Sequence, residues 1–269
     1  MLADKKTLYD ELVAFCLAIA QEQGFSEPQL RGKLGALTRK ARQSMEPGWN
    51  DKQQIDCLLT LFYRNWGFHC DSDSYFEPSN LFLPMILEKR SGMPVSLGAV
   101  LLYLANSLNL PIYPINFPTQ LILRAETAEG VFFIDPWHGE YISKARLQQL
   151  YEGAFGFGAE LSSADLVRAD AATLIERLQQ LIKNTLIREG LNEAAFRYIE
   201  RLIEQNVNHP KAADIRDRGL VLAQIGAYQA AIDDLQYYVR ECPQDPSAVL
   251  IKSQLEELKS EVSSLQITH

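Results

Sequence analysis

Apolar positions recur three and four residues apart over most of this chain, and the period changes only in one short central stretch. Residues 5–22 place Leu8, Leu12, Phe15, Cys16 and Ile19 on one stripe, which predicts a helix stopped by Gly24. Glu27-Pro28 opens a second helix that runs to about Met45, and Pro47-Gly48 breaks the chain after it. A third helix, Asp51 to Trp66, turns Ile55, Leu58, Leu59 and Phe62 inward, with the Asp51 carboxylate favouring its N-terminus. Residues 67–80 read as loop. Leu81 to Arg90 is a short helix stopped by Ser91-Gly92, and another helix follows from about Ser96 to Leu108.

The period then shortens. Ile112–Phe117, Leu121–Ala125 and Val131–Ile134 read as strands, with a hairpin marked by Glu129-Gly130 between the last two. A helical bundle followed by a short antiparallel sheet makes residues 1–169 an α+β domain. Within it residues 143–168 are mixed helix and loop, loosened by Gly153, Gly156 and Gly158. Residues 170–269 are helical only.

This second region contains a repeat. Gly219, Gly226, Tyr228, Ala231, Leu235, Tyr238 and Pro243 stand at tetratricopeptide-like spacings. An upstream copy is degenerate, with Gly190, Ala195, Tyr198, Leu202 and Pro210 recurring about one ~34-residue period earlier. The small residues let paired helices pack closely. Two repeats are too few for a long solenoid, so the helix from Lys252 onward is read as a cap.

Composition narrows the function classes. A formal net charge of −8 argues against a general nucleic-acid or anionic-membrane surface. No apolar run approaches the ~18 residues of a membrane helix. Acidic residues in the first turns, with no small-residue cleavage site, do not fit a signal peptide. The cysteines Cys16, Cys57, Cys70 and Cys242 lack pair spacing, so no disulfide framework is expected and the protein reads as cytoplasmic. Cys16 and Cys57 fall on apolar helix faces, where an inert buried thiol is the plain reading. His69-Cys70-Asp71-x-Asp73 gathers ligand-type side chains, but adjacent residues rarely point at one metal and no second half with zinc spacing follows. No metal and no cofactor are expected.

Three phrases carry a family resemblance: Leu87-Glu88-Lys89-Arg90-x-Gly92-x-Pro94-x-Ser96-Leu97, Phe117-Pro118-Thr119-Gln120-Leu121, and Ile134-Asp135-Pro136-Trp137-x-Gly139. With the repeat they make the chain resemble the SirB-type family of bacterial proteins, which join a transglutaminase-like core to tetratricopeptide repeats. The resemblance spans roughly residues 50–245 and implies a papain-like arrangement in which a helix N-terminus faces a sheet. Active transglutaminase-like relatives carry Cys on the helix, His on one strand and Asp on the next. By that correspondence Ser96 stands at the Cys position, Gln120 at the His position and Asp135 at the Asp position. Many family members read Pro-Gly-His where this chain reads Pro-Thr-Gln at 118–120. The family is also linked to the regulation of gene expression, a context without a molecular activity.

A thiol or alcohol nucleophile needs a neighbouring base, and Gln120 only donates and accepts hydrogen bonds. Ser96 is therefore read as an N-cap, worth about 1 kcal/mol to its helix, with Gln120 and Asp135 completing a buried polar network. The resulting expectation is a pseudo-enzyme acting as a scaffold. A protein partner would bind through helix positions not used for packing: Arg216, Leu220 and Gln224, with Arg218 nearby. The alternative is an acyl-transfer enzyme, hydrolase or transamidase, with Ser96 as nucleophile assisted by Asp135 and His138. An imidazole within hydrogen-bond reach of Ser96 separates the two. A third reading keeps the relict cleft as a receptor for a small polar ligand.

Overall fold

The computed structural model describes residues 6–19, 25–73 and 75–267, with side chains through residue 263. The first predicted helix is α1 (Leu8–Ile19), and Gly24, read as its stop, lies outside the described residues. Helix α2 (Glu27–Ser44) begins with Pro28 in its first turn, where a missing N–H costs nothing. Its buried stripe is Leu30, Leu34, Leu37, Thr38 and Ala41.

Helix α3 (Asp51–Leu59) is held at its start by a capping box in which the Asn50 side chain accepts from the Gln53 N–H and the Gln53 side chain accepts from the Asn50 N–H. A π-helical turn, Thr60–Asn65, continues it, where one helix to Trp66 was expected. Helix α4 (Leu83–Lys89) ends at Arg90, which adopts the left-handed conformation with φ +60°.

Helix α5 (Pro94–Ser107) starts two residues earlier than its apolar pattern suggests, because Pro94 supplies the fixed φ of a first helical residue and Met93 is the cap. The N-cap reading of Ser96 is thereby corrected: Ser96 is the third residue of the helix.

Four antiparallel strands follow among the described residues, in the order β1 (Ile112–Ile115), β2 (Ile122–Thr127), β3 (Gly130–Asp135) and β4 (Glu140–Ile142). The three residues of β4 were too few to leave a period in the sequence. Ile115, Phe117, Ile122 and Phe133 form a sheet-face core with Leu147, from α6 (Lys144–Phe155), and Leu166.

Helix α7 (Ala171–Arg188) leads into α8 (Asn192–Gln205), α9 (Ala212–Gln224), α10 (Tyr228–Glu241) and α11 (Ser247–Ile267). The chain divides into two compact units; Ala18–Gln23 group with the second, and from Gly24 onward the change falls inside α7 between Ile182 and Lys183, beyond the Ala169 boundary expected from the sequence. In the repeat unit Ile232, Leu235 and Tyr238 pack with Ile251 and Leu255 of α11. A Cβ at Gly219 would lie 3.0 Å from both Asp234 Cβ and Leu235 Cδ2, so the small residue there reflects the close approach of α9 and α10.

Candidate functional site

The three relict positions sit on elements that meet at the start of α5. Gly98, in the second turn of that helix, has no room for a side chain: a Cβ would fall 2.5 Å from Leu121 Cδ2 and 3.5 Å from Pro136 Cγ. Leu121 follows Gln120 and Pro136 follows Asp135, so helix and sheet touch where the resemblance requires. Gln120, however, lies in the bend between β1 and β2, not on a strand. Asp135 is the last residue of β3, paired with Glu140 of β4.

Ser96 is fully buried. Its Oγ donates to the Asn80 carbonyl at 2.6 Å and lies 3.0 Å from the Met93 carbonyl, so its single proton is directed at backbone oxygens. Asn80 closes a 3-10 turn, Pro78–Asn80, so the hydroxyl ties the loop before α4 to the start of α5. Gln120 makes no hydrogen bond among the described residues, and Asp135 Oδ1 accepts from the Trp137 N–H at 2.9 Å. The expected buried network of Ser96, Gln120 and Asp135 is therefore absent among the described residues. Each is engaged separately or left to solvent.

His138 is exposed, with its ring 6.1 Å from that of Trp137. No imidazole bonds to the Ser96 hydroxyl among the described residues, so the geometry that would favour the acyl-transfer alternative is missing.

Sequence reasoning missed a thiol at this place. His69 bridges to Ser91, with its N–H donating to the Arg90 carbonyl at 2.9 Å and its carbonyl accepting from the Gly92 N–H at 3.1 Å. Cys70, the next residue, lies within electrostatic reach of Asp135. Burial, then the charges of Asp71 and Asp135, push the Cys70 thiol from 9.0 to about 11. Around it, Tyr63 donates from its hydroxyl to the Pro136 carbonyl at 2.7 Å, and Tyr75 stacks on Trp137 at 5.4 Å. Burial raises the Tyr63 phenol well above its ordinary range, with Asp135 and Cys70 adding to the effect. The signal in the sequence was only the isolated Cys70, since its neighbour Asp135 is distant along the chain. Among the described residues no group of three His, Cys, Asp or Glu side chains is arranged to hold a metal ion.

The shift makes Cys70 a protonated, sluggish thiol. Its folded-state pKa lies above the unfolded one, so the stabilisation from keeping it neutral is present below the unfolded value and is lost as pH rises through about 11. Alkylation of Cys70 by iodoacetamide at neutral pH is expected to be on the order of a hundredfold slower than that of an unperturbed cysteine, and to accelerate up to about pH 11. Residue-resolved mass spectrometry reads this, and a neutral-pH rate equal to that of a free thiol would refute it.

The loop that carries Gln120 is held from α7. The Arg177 guanidinium donates to Asn116 Oδ1, to the Phe117 carbonyl at 2.6 Å and to the Pro118 carbonyl at 3.1 Å. Burial lowers its pKa from the ordinary arginine value. In the repeat unit, two of the three proposed face residues are used for packing, which corrects that assignment. Arg216 bonds Asp217 at 2.8 Å, reaches Ser247 Oγ at 3.5 Å and lies over the Tyr238 ring at 5.2 Å. Leu220 packs against the Ile232–Leu235–Tyr238 cluster, and Gln224 alone of the three is exposed. Arg218, named beside them, forks onto Asp234 with two contacts of 2.7 Å.

Residues 28–180 match the sequence profile of the transglutaminase-like superfamily, and residues 182–256 match that of the tetratricopeptide repeat. The chain belongs to the transglutaminase-like superfamily. Within it the chain is 55% identical over 259 residues to a protein of Haemophilus influenzae called UPF0162 protein, covering 96% of each. It is 36% identical to UPF0162 protein YchA of Escherichia coli, over 94% of this chain and 93% of that one. It is 39% identical to Protein SirB1 of Salmonella typhimurium, over 83% and 82% of the two chains. No solved structure matches. In this chain the transglutaminase-like match precedes the repeat match, and among the described residues no helix is long and apolar enough to cross a membrane.

Proposed function

We propose that this member of the superfamily is a cytoplasmic, non-catalytic scaffold whose tetratricopeptide unit binds a protein partner, with the transglutaminase-like unit as its platform. The observation that carries the first half is the Ser96 hydroxyl, 2.6 Å from the Asn80 carbonyl and fully buried. An alcohol attacks when a base takes its proton, and a carbonyl oxygen does not. Gln120 has no basicity, and Asp135 already accepts from the Trp137 N–H.

The second half rests on the repeat itself, since stacked helix pairs present extended faces to peptides and helices. In this unit Val249 and Leu250 of α11 are 74% and 63% exposed, an adjacent apolar pair that a partner would cover. The test uses full-length protein and its double variant Val249→Glu/Leu250→Glu as baits in identical extracts. Both are expected to melt at the same temperature, since both side chains are exposed. A protein held by the wild type is expected to be depleted at least about tenfold on the double variant, the loss of a central interface contact. Equal retention of every bound protein would overturn this reading.

A further inference from the structure

Opposite its buried stripe, α2 exposes Arg31, Lys33, Arg39, Lys40 and Arg42. Against these five cations α2 carries one carboxylate, Glu27, so the helix has a net charge of +4 in a chain of −8, and the rest of the chain carries −12. Internal pairing accounts for part of this. Arg31 meets Glu27 at 2.6 Å and Arg42 donates to the Ser107 carbonyl at 3.0 Å. Lys33, Arg39 and Lys40 have no carboxylate or other polar partner among the described residues.

The same helix holds two glycines that its own packing does not require. A Cβ at Gly32 would meet nothing within 4 Å, and at Gly35 the nearest atom is the far end of the Arg39 side chain at 3.5 Å. Glycine inside a helix lowers its stability relative to alanine, and its usual benefit is to let another backbone come close. Among the described residues no neighbour takes that opening.

We propose that the exposed face of α2 is a docking surface for a short acidic protein segment, separate from the tetratricopeptide unit. The Arg39 guanidinium can grip a carboxylate in a two-pronged geometry, the Lys33 and Lys40 ammonium groups add point charges, and the open backbone at Gly32 admits an extended chain beside them. Size selects this occupant among anions. At physiological salt a charge is felt over about 8 Å, so a segment of a few residues meets only the cations of α2. A nucleic-acid duplex or an anionic bilayer is far larger than the helix, and the chain outside α2 has a formal net charge of −12, which disfavours a large polyanion. A bilayer also rewards apolar side chains on the exposed face of an interfacial helix, and α2 exposes no large apolar residue.

The test measures fluorescence anisotropy of a labelled deca-glutamate peptide with the full-length protein at low and moderate salt. The triple variant Lys33→Glu/Arg39→Glu/Lys40→Glu is expected to bind at least about tenfold more weakly. The control Lys252→Glu/Lys259→Glu, on exposed positions of α11, is expected to bind as wild type does. Added salt is expected to weaken wild-type binding. Gly32→Ala is expected to raise the melting temperature while weakening the peptide, a split that a purely structural glycine would not produce. Should the reversed helix be unstable by circular dichroism, Lys33→Gln/Arg39→Gln/Lys40→Gln replaces it. Equal peptide affinity in wild type and the charge variant overturns the proposal. So does tighter binding of a short DNA duplex or of phosphatidylserine vesicles than of the peptide.

Discussion

Replacing Lys183 by alanine is expected to cost the repeat unit about 3–5 kcal/mol, the usual penalty for breaking a buried ion pair from one side. Lys183 is 1% exposed, and its ammonium lies 2.7 Å from Asp214 and 2.6 Å from Asp217, both buried. Without that ammonium Asp214 would lose its charged partner away from water, while Asp217 would keep Arg216. The defect is readable by unit, because Trp49, Trp66 and Trp137 all precede Lys183. Urea unfolding followed by tryptophan fluorescence should keep its midpoint, while helical circular dichroism should lose the α8–α11 signal at lower denaturant. Coincident transitions at the wild-type midpoint would rule the prediction out. Replacing only Lys183 and Asp214 by apolar side chains of similar volume is expected to cost less, since Asp217 keeps Arg216 and no unpaired buried charge remains.

The second large effect is at Ser96. Ser96→Ala is expected to destabilise the first unit by about 1–3 kcal/mol, the cost of a buried acceptor left without its donor. The Asn80 carbonyl would lose its 2.6 Å donor and keep the longer contact from the Met93 N–H at 3.4 Å. Tryptophan fluorescence in urea measures this directly. An unchanged midpoint would mean that the hydroxyl is not a structural tie and would reopen a chemical role for it. Ser96→Cys combined with Gln120→His is expected not to yield a reactive thiolate. The introduced thiol would be buried at a position facing carbonyl oxygens, and desolvation raises a thiol pKa. Titration of the introduced thiol below the ordinary cysteine range would contradict this.

Local pattern carried α2, the β2–β3 hairpin and the helices of the repeat, because their apolar periods and breakers are written in adjacent residues. The start of α5 was misread at Ser96, although the local signal was there. Pro94 marks a first helical residue, and counting from it puts Ser96 inside the helix. What stayed hidden depends on residues far apart in the chain. Cys70 comes under the charge of Asp135, Arg177 reaches Asn116, and Lys183 finds Asp214 and Asp217 only after folding. Arg216 misled for a related reason. A cation on a helix reads as solvent-facing until the ring it covers, Tyr238, is known.

The helix α7 has a bearing on how this protein can be taken apart. Arg177 grips the loop before Gln120, while Lys183, less than two turns further on, is anchored among the carboxylates of the repeat. The division between the units therefore falls within the residues of α7. A cut after Ala169 would strip the loop of its arginine, and a cut after Ile182 would separate Lys183 from the helical turns that carry it. Recombination in evolution meets the same obstacle as a cloning primer: neither half can be exchanged as a free cassette without rebuilding one helix.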